Sequence, residues 1–469
     1  MWGHGSTLET EKMKYFQVST LLSHYGRKLD EDRIGFLKGK KRVRRQLKKL
    51  ITALRQYMSC RQQSKQLETA QSIWKLLMVN ALGQISVSKS VRGFGALHEY
   101  YGNFVEFEDV LFGVDPTYRD HTMHSLWVYF LGDYILSHRP FIKARPVDWG
   151  IEVRDCNDKE GLEHKQNIED ALNEYKDAVY CIIALSHDLA YPFERTESVN
   201  KRLEKVAGYL GIQSFEHLQY NFSQEQSLLI HELLEFVSQK AVISNEKGHH
   251  QVRFVKDDPT YVDMSQSFEQ HKHGILSSYL LYRLIDTIGE ATFTEVACLP
   301  SKAANIINLV LRKTILCTIA SHTCDYAYSD VYNNFRFLLS LVDELEEFSR
   351  YKRQGRDGVD EICKSGLKFV APGQLFVEYR FEKNHIAEPE TFFRNRAIRF
   401  CRMIDSNQDS SSVSGISELI LSCVDDRKRP SKEYLLKINK KGVFCKKPLG
   451  KGWISIHPDP ETEILRIFK

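Results

Sequence analysis

The 469-residue chain has few devices that would tie it together covalently or anchor it in a membrane. Its ten cysteines lie at 60, 156, 181, 298, 317, 324, 363, 401, 423 and 445, and none form a C-x-x-C pair. That spread excludes a dense disulfide framework and fits a reducing cytosol. No stretch approaches the roughly 18 uninterrupted apolar residues of a membrane span, and the opening MWGHGSTLETEKMK lacks the apolar core of a signal peptide. The chain therefore reads as cytoplasmic, neither secreted nor membrane-spanning, with no membrane partner. Neither sign of charge dominates: 65 Lys and Arg against 61 Asp and Glu leave +4, too little for the total to imply a polyanion partner. There is no internal repeat, and the composition excludes collagen-like, coiled-coil and mucin-like chains.

What is present is core-forming material: 42% hydrophobic and 11% aromatic residues, with 27% charged residues for a solvated surface. The length suits two to three domains, or one large domain with extensions. Seventeen histidines stand out. So does a local charge, because Lys38 to Lys65 holds eleven Lys and Arg and no Asp or Glu. Val43, Leu47, Leu50, Leu54 and Met58 recur there at helical spacing, which predicts a basic helix that docks by its apolar stripe. A packing helix with a solvated basic face and a nucleic-acid-binding helix both satisfy this pattern.

From about 66 to 350 the periodicity is almost wholly helical. The runs are Ser72–Leu82, Ala171–Leu189, Gln224–Val237, Gln266–Ile288, Lys302–His322 and Val331–Phe348, with interruptions near Arg139–Lys165 and Lys247–Asp263, the latter read as loop. After about Gly366 the texture changes. Leu375, Val377, Tyr379 and Phe381 alternate with Phe376, Glu378, Arg380 and Glu382 as a half-buried strand does, a helix follows at Pro389–Ile404, and strands follow near Leu419–Val424, Tyr434–Asn439 and Val443–Lys446. Asn439 to Gly442 reads as a hairpin turn. The expected fold is mainly α: a basic helical extension over 1–65, a helical body over 66–365 and a small α+β module over 366–469. The module shows no ligand cluster, and effector binding, homo-oligomerisation and gating are all open to it.

The strongest local signal is Cys181-Ile-Ile-Ala-Leu-Ser-His-Asp-Leu-Ala-Tyr-Pro192. An imidazole beside a carboxylate at the end of an apolar helix is costly to bury, and a divalent metal satisfies both groups; hydrogen bonds could do the same. Further polar groups sit where helical patterns expect buried ones. His121 and His124 lie three apart, His322 ends Ile315-Leu-Cys-Thr-Ile-Ala-Ser-His, and Asp343 lies between apolar neighbours. Glu344, Glu346 and Glu347 are expected on the exposed side of that last helix. His271 and His273 open another helix, and being two apart they cannot both face inward.

The order His124, His187-Asp188, His273, His322, Asp343, each group on its own helix, resembles the HD-domain superfamily of metal-dependent phosphohydrolases over roughly residues 115–350. The resemblance implies an HD-type helical bundle. His124, His187, Asp188 and Asp343 would form one metal site, with Asp188 bridging to a second completed by His273 and His322. It also implies one or two divalent cations and hydrolysis of a phosphate ester or anhydride, of a small-molecule nucleotide above all, by attack of metal-bound hydroxide. A mixed His and carboxylate set suits Mn, Fe, Ni or Zn better than Mg. Tyr191 stands where cyclic-nucleotide phosphodiesterases and deoxynucleotide triphosphohydrolases of the superfamily commonly carry a His; its phenol can donate a hydrogen bond to phosphate. The H-D-x-G-K and G-Y-P signatures of cyclic-dinucleotide phosphodiesterases are missing. His121 is a candidate proton donor, Glu194 and Glu197 candidates for orienting water, and Arg119, Arg195 and Lys272 candidates for phosphate contact. Two other readings remain: a catalytically inactive or regulatory nucleotide-binding protein, and a nucleic-acid-processing phosphodiesterase fed by the basic helix.

Overall fold

The computed structural model describes residues 14–60, 62–86, 91–114, 120–138, 149, 151–154, 159–212, 216–246, 249–289, 297–298, 303–324, 334–347, 363–371, 374–383, 388–403, 418–427, 429–439, 441–448, 450, 452–456 and 460–468. Among them the chain is mostly helical, with two sheets. No described helix is long and apolar enough to cross a membrane.

The basic helix forms over Lys41–Ser59 and docks by Leu47, Ile51 and Leu54, with Val43, Leu50 and Met58 partly buried beside them. Part of its charge has local work. Arg44 donates to the carbonyl of Leu29 at 2.7 Å, near the end of the helix Val18–Asp30, and Lys48 pairs with Asp30 at 2.6 Å. Cations at a helix C-terminus complement its dipole and its unsatisfied carbonyls. The helix Val18–Asp30 is tied in turn to the helix His121–His138 by Lys28, which reaches buried Asp133 at 2.5 Å.

The helices His121–His138 and Lys159–Ser186 form the centre of the body. Met123, Leu126 to Leu131 and Ala178 to Leu185 are buried. These two helices lie close enough that a Cβ at Gly132 would meet the Tyr180 hydroxyl, which donates to Val128 O at 2.8 Å. Residues from Leu21 to Phe468 share one continuous apolar core around them.

Strand structure in the body is more extensive than its periodicity suggests. Gln239–Glu246 pairs antiparallel with His249–Lys256 and parallel with Ile151–Arg154, and Ala297–Cys298 completes a four-stranded sheet. The predicted loop at 247–263 is therefore corrected: apart from 247 and 248, which lie outside the described residues, it holds a strand and the start of the helix Asp258–Glu269. Gln266–Ile288 is not one helix either. It breaks at His271, whose φ of 54° is left-handed, and restarts as His273–Leu284.

The second sheet has seven strands in the order Lys14–Tyr15, Lys364–Ala371, Gln374–Phe381, Glu418–Asp425, Lys432–Asn439, Gly442–Lys446, Ile454–Ile456. All pairs are antiparallel except Gln374–Phe381 with Glu418–Asp425. Leu375, Val377, Tyr379 and Phe381 are buried as their alternation predicts, and Asn439 opposes Gly442 across the expected turn. The helix Pro389–Met403 crosses between those two parallel strands and also packs on the helix Phe335–Leu345, which bears Asp343.

Candidate metal centre

The His187-Asp188 turn is held from three directions. Trp74 Nε1 donates to Leu185 O at 2.9 Å, the Tyr100 hydroxyl to Leu189 O at 2.7 Å, and Ala190 N to Ser277 Oγ at 2.9 Å. Carbonyls left over at a helix end are thus satisfied and the turn is fixed. The neighbouring helix His121–His138 starts on carboxylates. Asp120 accepts from Met123 N at 3.0 Å, and buried Glu108 accepts from His121 N at 2.6 Å. Acidic acceptors complement a helix N-terminus, and here they set the ring of His124 one turn further on.

A close approach brings the other two histidines together. A Cβ at Gly274 would come within 2.7 Å of Ile319 O and 2.9 Å of His322 Nδ1, so only glycine lets the start of the helix His273–Leu284 meet the end of the helix Ala303–Ser321. His273 Nε2 and His322 Nε2 consequently lie 3.1 Å apart.

Asp188, 7% exposed, divides its two oxygens between two pairs of histidines. Oδ2 is 3.2 Å from His187 Nε2 and 3.4 Å from His124 Nε2, whereas Oδ1 is 3.0 Å from His273 Nε2 and 3.4 Å from His322 Nε2. Asp343 Oδ1 adds a second carboxylate 3.0 Å from His124 Nε2. The groups His124, His187, Asp188 and Asp188, His273, His322 each keep their ligand atoms within 4.8 Å of one another and could each hold a metal ion.

The opposite nitrogen of every one of these rings is already engaged. Nδ1 of His124 meets Glu346 at 2.7 Å, that of His187 meets Ala184 O at 2.9 Å, that of His273 meets Glu194 at 2.5 Å and that of His322 meets Ile319 O at 2.6 Å. An acceptor at Nδ1 keeps the proton there and turns the Nε2 lone pair to the centre, as in metal-ligating histidines. His187 Nε2 is buried and makes no well-aligned hydrogen bond among the described residues, although Asp188 Oδ2 lies 3.2 Å away. A buried nitrogen left so is costly, and a cation relieves it. The residues fit a divalent metal.

Electrostatics agree. Burial alone would raise the Asp188 carboxyl, but the interactions with His187, and with His273 and His322, outweigh it and hold the group well below the usual range. Burial lowers His322 and keeps it neutral, while His273 is brought up to about 9 because its bonds to Asp188 and Glu194 outweigh burial. His273, raised above its ordinary 6.5, gives the metal-free protein stability that is complete below pH 6.5 and lost as pH rises through about 9. A cation must displace that proton. Affinity at the His273 and His322 side is therefore expected to rise about ten-fold per pH unit between about 6.5 and 9, as metal titrations at fixed ionic strength would show.

The other predicted site residues fall into three groups. His121 is buried at the edge of the centre, its Nε2 3.9 Å from Asp188, with its ring stacked on Tyr191 at 3.9 Å; Tyr191 also packs edge-on to His273. Lys272 lines a cavity of about 200 Å³ together with His273, His322 and Asp343. Two more of the candidates are held by neighbouring site residues. Glu194 serves His273, accepting from both its ring and its backbone N–H, and this outweighs burial to bring Glu194 down to about 2. Arg195 donates its Nε–H to the Tyr191 hydroxyl at 2.6 Å. Glu197 pairs with Lys201 on the surface, His271 is exposed beside Tyr220, and Arg119 lies outside the described residues.

The expectation that Glu344, Glu346 and Glu347 are exposed is overturned: they are 2%, 0% and 2% exposed. Glu346 takes His124, and the other two take arginines of the helix Pro389–Met403, Arg396 bonding both. A glutamate run looks solvated until its distant partners are known. Glu346→Gln is expected to weaken metal binding about 10–100-fold, the usual effect of removing a partner that orients a ligand, with little change in thermal stability; unchanged affinity by competition with a chelating dye would refute this role.

Compared with protein-family models, with curated proteins and with solved structures, the chain matches none.

Proposed function

We propose that the chain is a metal-dependent phosphohydrolase built on an HD-type helical body, cleaving a phosphate ester or anhydride, of a nucleotide before other substrates. The observation that carries this reading is the division of one buried carboxylate, Asp188, between two pairs of histidines whose Nδ1 atoms are all engaged. Bound there, a pair of divalent cations would lower the pKa of a water and offset charge on the phosphoryl oxygens.

The chain's own groups supply the rest. Asp188 and Asp343 provide the negative charge that favours cations, and four imidazoles favour Mn, Fe, Ni or Zn over Mg. Glu346 and Glu194 hold two of the four rings in place. Packing of His121 against Tyr191 sets an imidazole at the rim, where a leaving group could receive a proton. Lys272 places a cation in the adjoining cavity for anionic substrate.

Metal analysis of the purified protein, followed by a turnover screen with Mn²⁺ across nucleoside mono- and triphosphates, cyclic mono- and dinucleotides and short RNA and DNA, tests the reading. Bound metal with turnover of one of these supports it. Bound metal with no turnover would move the assignment to a regulatory nucleotide-binding protein, and no bound metal would end it.

A further inference from the structure

The cavity beside the metal centre has a wall that comes from far along the chain. It is lined by His273, His322 and Asp343 and by Arg399, Arg402 and Met403 of the helix Pro389–Met403, with Lys272 at the start of the helix His273–Leu284. Arg396, Arg399 and Arg402 recur every three residues and so share one face of that helix. Arg396 is buried and locked between Glu344 and Glu347. One turn on, Arg399 donates to Glu344 at 2.7 Å, yet 61% of its side chain remains exposed. Arg402 follows at the last turn.

The acidic groups of this cavity are each engaged: Glu194 with His273, Asp343 at the centre beside His124, and Glu344 with Arg396 and Arg399. Arg399, although paired with Glu344, keeps most of its side chain exposed, and Arg402 and Lys272 line the same cavity; guanidinium matches phosphate with paired N–H donors. Size limits the ligand. At about 200 Å³ the cavity is smaller than the roughly 300–1,000 Å³ of pockets that enclose a whole drug-sized molecule. It has room for phosphate groups and leaves a nucleoside outside.

We infer that Arg399 and Arg402, with Lys272, bind the second phosphate of a substrate whose reacting phosphate sits at the metal centre, so that the substrate is a phosphate chain rather than a monophosphate ester. This rests on the phosphohydrolase reading above and gives the C-terminal module a part in the site: its helix completes the substrate-binding wall.

The test is calorimetric titration of the full chain, in chelator and with Mn²⁺, using orthophosphate, imidodiphosphate and adenylyl imidodiphosphate, whose bridging nitrogen resists hydrolysis. Imidodiphosphate is expected to bind at least about ten-fold more tightly than orthophosphate. Arg399→Gln with Arg402→Gln should abolish that preference while leaving Mn²⁺ stoichiometry and orthophosphate affinity within about three-fold, and Arg399→Lys with Arg402→Lys should restore part of it. Arg396 is left in place in both variants, and melting curves confirm that they fold. Tighter binding of adenylyl imidodiphosphate than of imidodiphosphate identifies a nucleoside polyphosphate; equal binding identifies an inorganic one. Either result keeps the arginine wall. Absence of the preference in the unaltered chain, or equal loss of both ligands in the Gln variant, overturns it. If no Mn²⁺ binds, the metal reading falls, and the preference measured in chelator still decides the arginine wall.

Discussion

Asp188→Ala is expected to empty both metal positions together and to lower turnover at least about 10²-fold, a scale already reached when partners that merely orient a ligand are removed. The reason is geometric. Each oxygen of this carboxylate faces its own pair of histidines, so one substitution removes a ligand from both groups. It also removes the negative charge that makes this cluster of four imidazoles attractive to a dication. Asp343→Ala is a sharper companion, because Asp343 lies against His124, at 3.0 Å, and should weaken that position while sparing the His273 and His322 side. Elemental analysis after dialysis against a weak chelator separates these outcomes. Full metal content in Asp188→Ala would sink the assignment, and equal loss in both variants would mean that the two positions fill as one.

The residues that could be read from the sequence share one property. His124, His187, Asp188, His322 and Asp343 interrupt apolar helical faces, so burial is implied by their neighbours and chemistry by their type. His273 needed more: the sequence left it paired with His271, and the structure separates them, because the helix breaks at His271, with a left-handed φ, and leaves that residue exposed. What sequence could not reveal depends on partners distant along the chain. Glu346 sits in an acidic run and becomes a buried acceptor only because His124, 222 residues away, reaches it. Arg399 and Arg402 belong to an amphipathic helix with no local sign of a site. The hairpin Gln239–Lys256 was missed for another reason. Its alternation is weak, and the Gly-His-His at 248–250 reads as loop on local grounds. The mainly helical class and most of the module's strands were legible because periodicity carries them; close approaches such as that at Gly274 are not periodic and leave no such trace.

Arg396→Met is expected to destabilise the protein by about 3–5 kcal/mol, the cost of removing one partner from a buried ion pair. Arg396 is 8% exposed and joins two carboxylates, Glu344 and Glu347, that are each 2% exposed. Methionine matches much of the volume but none of the charge. Glu344 keeps Arg399 as a partner, so most of the penalty should fall on Glu347. Two consequences separate this account from a simple loss of packing. Adding Glu347→Gln should recover a large part of the loss, visible as coupling in a double-mutant cycle by denaturant unfolding. The deficit should also shrink as pH falls, because protonation neutralises a carboxylate that the fold can no longer compensate. A cost below about 1 kcal/mol, with no coupling to Glu347, would mean that these charges do not hold the module's helix on the metal-bearing one. A full cost with coupling would join stability to chemistry: Glu344 and Glu347 flank Glu346, so the contact that seats the module's helix also fixes the carboxylate that orients His124.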